Sequence, residues 1–374
     1  MEPVTHFLTG TCIGRAGLNR KTAYATLACT LAAEAPDMDI ISGFAGPVTG
    51  FQHHRGITHT LIAAPVNSLI IIGFVWFLDR VFFARRRAKD PDPQPIRWSW
   101  LWFSALIASL SHLLLDWTNN YGIRPFFPFN PHWYSGDFVF IAEPLIWALL
   151  GLAVIVPALL GLADREVGAR RQRFRGRGWA IFALAGMTIL WCVRWAEHAH
   201  AVNLVLANPP TDPADPIKRV AAEPYPTNPW RWHAIVETAN TWQTVEVDSR
   251  RDQLLTDPAR DTLFKPPVTP ATQFARQTRL GQIYLDWSSW PVVRDKGRVL
   301  IAGQPSPDIP PTRQWTAVEF SDLRFAYPYL DERMENSAGR SLEHLLSTAG
   351  LSAWVYVLDG HEDGGQFMGG REQK

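Results

Sequence analysis

The chain has 374 residues, a formal net charge of +1 and three cysteines. A balance this close to neutral gives no general field for nucleic acid, and the length suits about two domains. Cys12, Cys29 and Cys192 all lie in apolar stretches, which leaves neither a disulfide framework nor a CxxC metal site. The long apolar stretches all precede about residue 206, and a polar half rich in proline and tryptophan follows.

The opening MEPVTHFLTG lacks the basic region and clean apolar run of a signal peptide, so insertion is expected to use internal segments. Residues 5–17 and 22–34 read as two short helices split by GLNRK. Each would reach only about 20 Å, which suits a partly embedded hairpin or a buried soluble one. Four longer stretches, 61–83, 99–116, 139–162 and 179–197, approach the ~20 apolar residues needed to cross a bilayer. The basic loops are GLNRK (Arg20, Lys21), FARRRAKD (Arg85, Arg86, Arg87, Lys89) and DREVGARRQRFRGRG (Arg165, Arg170, Arg171, Arg173, Arg175, Arg177). All three fall on one face if every segment reverses direction, and the excess of Lys and Arg makes that face cytoplasmic. Residues 35–60, 117–138 and everything after about 198 then lie on the extracytoplasmic side of a multi-pass membrane protein.

The expected fold is an all-α multi-pass helical bundle over residues 1–204, a proline-rich linker over 205–230 and a smaller soluble α+β domain over 231–374. WHAIVETA and TWQTVEVDS alternate like paired strands. Residues 271–286 read as a helix, and WTAVEFSDLRFAY and LSAWVYVLDG as further strands. The glycine-rich HEDGGQFMGGREQK reads as a frayed end.

The candidate chemistry sits at the outer ends of the helices. APDMD supplies Asp37 and Asp39, and HHRGITHT supplies His53, His54, Arg55 and His59. SHLLLDWTNN supplies His112 and Asp116, GDFVFIAEP supplies Asp137 and Glu143, and His6 opens the first short helix. His112 and Asp116, at i and i+4, share a helical face. An ionisable pair in an apolar helix needs a partner, and a divalent metal stabilises both members. Histidine and carboxylate donors without cysteine suit a hydrolytic zinc-class site. Taken singly, Asp37 and Asp39 read as a turn and the histidines as an interfacial polar belt. Four segments converging on one side favour a metal centre of two or three ions rather than one. Gly56 is expected to permit the bend between His54 and His59, and Thr58 or Thr60 to cap the next helix. Arg55 reads either as an anion clamp or as a structural partner of Asp37 or Asp39. His132, Glu197, His198 and His200 lie on the same face and are weaker candidates.

THFLTG, APDMD, HHRGITHT and SHLLLDWTNNYGIRPFFPF, in this order and spacing, resemble the bacterial inner-membrane metal-dependent hydrolases described as LexA-binding and inner-membrane-associated. The resemblance covers about residues 1–160. That family is distantly similar to zinc phospholipases C and zinc single-strand nucleases. The resemblance implies a helical zinc-dependent hydrolase with ligands among His6, Asp37, Asp39, His54, His59, His112 and Asp116. Glu143 is added from topology alone. Many members carry histidine after the second aspartate, where this chain has Ile40, which removes one ligand or transfers its job to His53.

The expected function is therefore a membrane-bound, metal-dependent hydrolase of phosphoesters of lipid or envelope-derived substrates. Its partners are the bilayer and that substrate, with no nucleic acid. Bound metal would lower the pKa of a coordinated water toward ~7, with Asp37 or Asp39 bridging metals or serving as general base. The competing reading is a non-enzymatic metal-binding scaffold or sensor with a soluble partner-binding domain. A transporter is disfavoured, because no Asp, Glu or His lies mid-span in 61–78 or 144–162.

Overall fold

The computed structural model describes residues 1–168, 174–299, 315–327 and 351–368. Arg170, Arg171 and Arg173 of the third basic loop, and residues 369–374 of the glycine-rich end, lie outside them. The architecture is a helical N-terminal half followed by antiparallel sheets with few helices. The contacts divide the chain into two units. The first comprises Met1–Ile41, His53–Glu197 and Pro224–Pro229, and the second Ser42–Gln52, His198–Glu223 and Trp230–Lys374.

In the first unit, α1 (Pro3–Ala16) and α2 (Ala25–Glu34) form the short hairpin. Tyr24, in a left-handed conformation (φ 63°), delays the start of α2 to Ala25. The two helices touch closely at Gly10, where a Cβ would lie 2.6 Å from the Cys29 carbonyl oxygen and 2.7 Å from Ala33 Cβ. Small residues give such backbones room to approach. Cys29, Ala32 and Ala33 continue the theme against Ala105 and Ala108.

Among the described residues, four helices are long and apolar enough to cross a membrane. The first is α4 (Ala63–Leu78) with a π turn over Asp79–Phe83, preceded in the chain by α3 (Pro47–His53) and followed by α5 (Ala84–Ala88). The others are α6 (Trp98–Thr118), α7 (Pro144–Glu166) and α8 (Arg177–Ala207). Large apolar side chains such as Leu69, Ile70, Leu152, Ile155, Phe182 and Ile189 are exposed on them, as lipid-facing surfaces require. The buried face of α6 instead carries Ser104, Ser109, His112 and Asp116. Helix α7 starts five residues later than the apolar pattern suggests. Glu143 caps it by accepting a hydrogen bond from the Leu145 amide, and Pro144 fills the first turn. Helix α8 ends ten residues later than expected, because AVNLVLA holds no breaker before Asn208-Pro209.

Among its described residues, the second unit contains two antiparallel sheets. Strands β1 (Arg219–Pro224), β2 (Arg231–Glu237), β3 (Thr241–Asp248) and β4 (Gln253–Leu255) lie in that order, and β5 (Thr262–Phe264) also pairs with β3. The expected hairpin is β2–β3, with Trp232 opposite Val247 and Ile235 opposite Thr244. Strands β6 (Pro291–Val299), β7 (Trp315–Asp322), β8 (Ala353–Leu358) and β9 (Glu362–Met368) form the other sheet. Ile235 and Trp242 pack with Trp290, Val292, Leu323 and Ala326 into one core. The short α9 (Pro258–Asp261) separates β4 from β5.

Three local expectations need correction in this unit. The segment 271–286 is two helices, α10 (Pro270–Gln277) and α11 (Arg279–Trp287), because Thr278 leaves helical geometry and caps the second by accepting from the Gly281 amide. The stretch 205–230 is not all linker, since Arg219–Pro224 forms β1. The glycine-rich end is not frayed over Glu362–Met368, which pairs with β8. Its glycines serve the pairing: a Cβ at Gly364 would collide with the Trp315 ring, and Gly365 takes φ 139° beside the bulge at Tyr356/Val357.

Candidate metal centre

Four side chains from three segments converge in the first unit. Asp37 lies in the tight helical turns of Ala35–Ala45, His59 in the turn Ile57–His59, and His112 and Asp116 on α6. Their candidate ligand atoms all lie within 4.8 Å of one another. His59, His112 and Asp116 are fully buried, and the Asp37 side chain is 22% exposed.

The distances fit a small cation. His59 Nε2 and His112 Nε2 are 3.1 Å apart. Asp37 Oδ1 is 3.2 Å from the first and 3.6 Å from the second. Asp116 Oδ2 is 3.3 Å and 3.2 Å from them. A tetrahedron built on metal–ligand bonds of about 2.0–2.1 Å has edges of about 3.3–3.4 Å. Asp116 Oδ2 is buried and accepts no hydrogen bond, the condition a cation would relieve.

Neighbouring groups orient both imidazoles. His112 Nδ1 is 2.6 Å from the Ala33 carbonyl oxygen, so it carries the proton and leaves the Nε2 lone pair free. His59 Nδ1 is 3.2 Å from Asp39 Oδ2 and 3.0 Å from Thr58 Oγ1. A proton donated there to Asp39 likewise frees Nε2. Asp39 also accepts the Arg55 amide at 2.7 Å. The close α1–α2 packing sets the position of the Ala33 carbonyl, linking a glycine in α1 to the tautomer of a histidine in α6.

The carboxylates differ electrostatically. Burial raises the Asp37 carboxyl, but the hydrogen bond with His59 and the nearby His112 outweigh it and hold the group at about 2. Burial also opposes ionisation of Asp39, yet hydrogen bonds with His54 and His59 keep it well below the usual carboxylate range. Glu34, at the end of α2, is pushed up to about 7 by burial and then by the charges of Asp37 and Glu2. Its Oε1 is buried without a hydrogen-bond partner. Sequence reasoning missed Glu34, although its place three residues before Asp37 was a usable signal.

The remaining predicted site residues divide around this core. Asp39, expected as a ligand, sits behind His59, 3.2 Å from Nδ1, whereas Asp37, expected as a catalytic carboxylate, supplies one of the four candidate ligand atoms. His6 stacks on His112 with ring centroids 3.8 Å apart and approaches the other Asp116 oxygen at 3.4 Å. The Met1 amino group also contacts Asp116 Oδ1. His54, 38% exposed, is 3.3 Å from Asp39 Oδ1 and lies outside the four-atom group. Arg55 is spent on structure: it is buried, pairs with Asp116 at 2.8 Å, donates to the Gly122 carbonyl at 2.9 Å, and lies over the Tyr121 ring. The bend runs through Arg55, at φ 50°, and through Gly56, at φ −82° and ψ −131°, as expected of the glycine. Gly56 also lets the chain pass the His53 carbonyl, where a Cβ would meet the oxygen at 2.7 Å. Thr60 is the residue that caps, accepting from the Ala63 amide at 3.0 Å.

Glu143 is not part of the group. It is buried against Arg194 at 2.6 Å and accepts the Thr227 amide at 3.0 Å. A buried carboxylate needs a counter-charge, and α8 supplies one. His53 and His132 are exposed outside the group. Within the second unit His200 pairs with Asp252 at 2.8 Å, and His198 packs on the Trp232 ring.

Comparison with known proteins agrees in extent with this membrane unit. Residues 1–201 match the family model described as YdjM inner membrane protein. The uncharacterized protein YfhP of Bacillus subtilis (strain 168) is 26% identical over 156 residues, which cover 39% of this chain and 43% of that protein. The alignment thus spans less than half of that relative. No solved structure matches the chain. With more than half of its length matched, and four helices able to span a bilayer, the chain belongs to the YdjM inner membrane protein family.

Proposed function

We propose that the protein is a metal-dependent hydrolase of the bacterial inner membrane, acting on phosphoesters at the outer face, with zinc as the metal best suited to its donors. The observation that carries this reading is the convergence of Asp37, His59, His112 and Asp116, with each carboxylate oxygen 3.2–3.6 Å from the two Nε2 atoms and all four atoms within 4.8 Å of one another. The same donors would hold the metal, which when bound would acidify a coordinated water and polarise the scissile group. Among the chain's own groups, Asp39 and the Ala33 carbonyl hold the two rings with Nε2 inward. Asp37, which the hydrogen bond with His59 and the nearby His112 keep ionised against the effect of burial, would serve as a ligand atom by its place in the four-donor group. Glu34, at about 7, is the better proton carrier. The location at the ends of the spans opposite the basic loops supports the outer-face assignment.

One observation favours a second reading. Four protein donors can close a tetrahedron, as structural zinc sites do, whereas catalytic sites keep a position open. Asp37 is the donor with solvent exposure and hence the one able to yield a position. Metal content of detergent-purified wild type beside His112→Ala/Asp116→Ala tests the centre itself. Stoichiometric zinc lost in the variant is expected, and no metal in folded, chelator-free wild type overturns it. Cobalt-substituted protein then separates the readings. An absorption change on adding inorganic phosphate indicates an open position, and an inert spectrum indicates a closed structural site.

A further inference from the structure

The segments that carry the metal donors inward also carry large apolar side chains outward. In the stretch after α2, Asp37 and Asp39 turn toward His59 while Met38 and Ile40 are 58% and 77% exposed. Ile57, two residues before His59, is 63% exposed. Phe129, in the turn after α6, is 82% exposed. These segments are tied together: Asp39 accepts the Arg55 amide, and the Leu61 amide donates to the Pro125 carbonyl at 3.0 Å.

Exposed apolar side chains normally scatter singly, and a contiguous set marks an interaction surface. Here chain continuity identifies the partner. After Ile57 and the buried His59 and Thr60, the chain exposes Leu61 and Ile62 and continues into Val66, Leu69 and Ile70 on the outer surface of spanning helix α4. We propose that Met38, Ile40, Ile57 and Phe129 form an apolar rim seated in the lipid phase at the bilayer interface, and that the metal centre is fed laterally from the membrane. Burial of such side chains in lipid removes the cost of holding their apolar surface in water. The immersion stands on exposure and continuity alone. The consequence for substrate, that it is lipid-borne rather than a free water-soluble phosphoester, rests on the hydrolase reading.

The test is spin-label accessibility in full-length protein reconstituted into phosphatidylcholine–phosphatidylglycerol vesicles. Labels are placed one at a time by Ile40→Cys, Ile57→Cys and Phe129→Cys in a Cys192→Ser background, the other two cysteines being buried. Leu69→Cys on the spanning helix and Arg251→Cys on the polar half calibrate lipid and water. Relaxation by oxygen should exceed relaxation by a water-soluble nickel chelate at all three rim positions, as at Leu69. Nickel-dominated relaxation, as at Arg251, overturns the proposal by placing the rim in water. Low accessibility to both reagents also overturns it, because protein and not lipid then covers the rim. Neither reagent senses metal or turnover, so this result stands apart from that of the metal-content experiment.

Discussion

Asp39→Asn separates a ligand from the group that orients a ligand. In the structure Asp39 lies behind His59, 3.2 Å from Nδ1, and also accepts the Arg55 amide at 2.7 Å. The four candidate ligand atoms come from Asp37, His59, His112 and Asp116. Asparagine keeps the shape and one acceptor oxygen but loses the charge, and charge-assisted hydrogen bonds are roughly twice as strong as neutral ones. Loss of such a partner typically weakens metal binding about 10- to 100-fold, equivalent to about 1.4–2.8 kcal/mol. The expected outcome is a higher dissociation constant with unchanged stoichiometry at saturating zinc, measured by competition with a chromophoric chelator. His112→Ala should instead lose stoichiometric binding. An Asp39→Asn protein that cannot be saturated would make Asp39 a ligand and refute the role assigned here. An unchanged dissociation constant would refute the orienting bond.

Three further substitutions test other parts of the structure. Glu143→Gln leaves Arg194 buried without its counter-charge and should cost roughly 3–5 kcal/mol of stability with no change in metal content. Metal loss in protein that remains folded would return Glu143 to the site. Under the proposed hydrolase function, Glu34→Gln should lower turnover and abolish the limb of the pH–rate profile near 7 while the metal content is unchanged. A profile unchanged in shape would remove Glu34 from proton transfer. In the second unit, burial opposes ionisation of Asp322, but Arg324 and Ser288 hold its carboxyl below the ordinary value. A depressed folded pKa means that its stabilisation is complete above the unfolded value of about 3.9 and is lost as pH falls through the lower folded value. The thermal stability advantage of wild type over Asp322→Asn should therefore persist at pH 7 and 5 and shrink below about pH 4. An advantage independent of pH would count against the ion pair as its source.

The membrane half was legible because its signals are one-dimensional. Eighteen or more apolar residues in a row have few alternatives, and the four spans stand within a few residues of their expected places except at two ends. Those ends were set by local contacts that hydropathy does not register, the Glu143 cap on α7 and the absence of a breaker in AVNLVLA on α8. The pairing of β2 with β3 was equally readable from alternation, whereas β9 was hidden. Glycine counts against a strand by propensity, yet in β9 it is the residue that makes room for Trp315.

The metal-capable residues were legible as a set and not as roles, for a physical reason. His112 and Asp116 declare their shared face by i, i+4 spacing, and the structure keeps them 3.2 Å apart. Asp37 and Asp39 are two apart in a non-repeating turn, so spacing cannot say which one reaches the ring nitrogens and which stands behind them. That choice depends on where Arg55 turns the chain back at φ 50° and presents its amide to Asp39. Arg55 shows the same limit. Guanidinium beside a histidine cluster suits an anion clamp, but its fork closes on Asp116 and the Gly122 carbonyl, both fixed by the end of α6 and its following turn. Glu143 was drawn to the site by topology alone, and the competing cation, Arg194, lies 51 residues away on another helix. Residue type and helix end place a group at the right depth. The partner that decides between ligand, orienter and counter-ion comes from a different segment, and only the packing of α1, α2, α6 and the 55–59 turn brings the partners together.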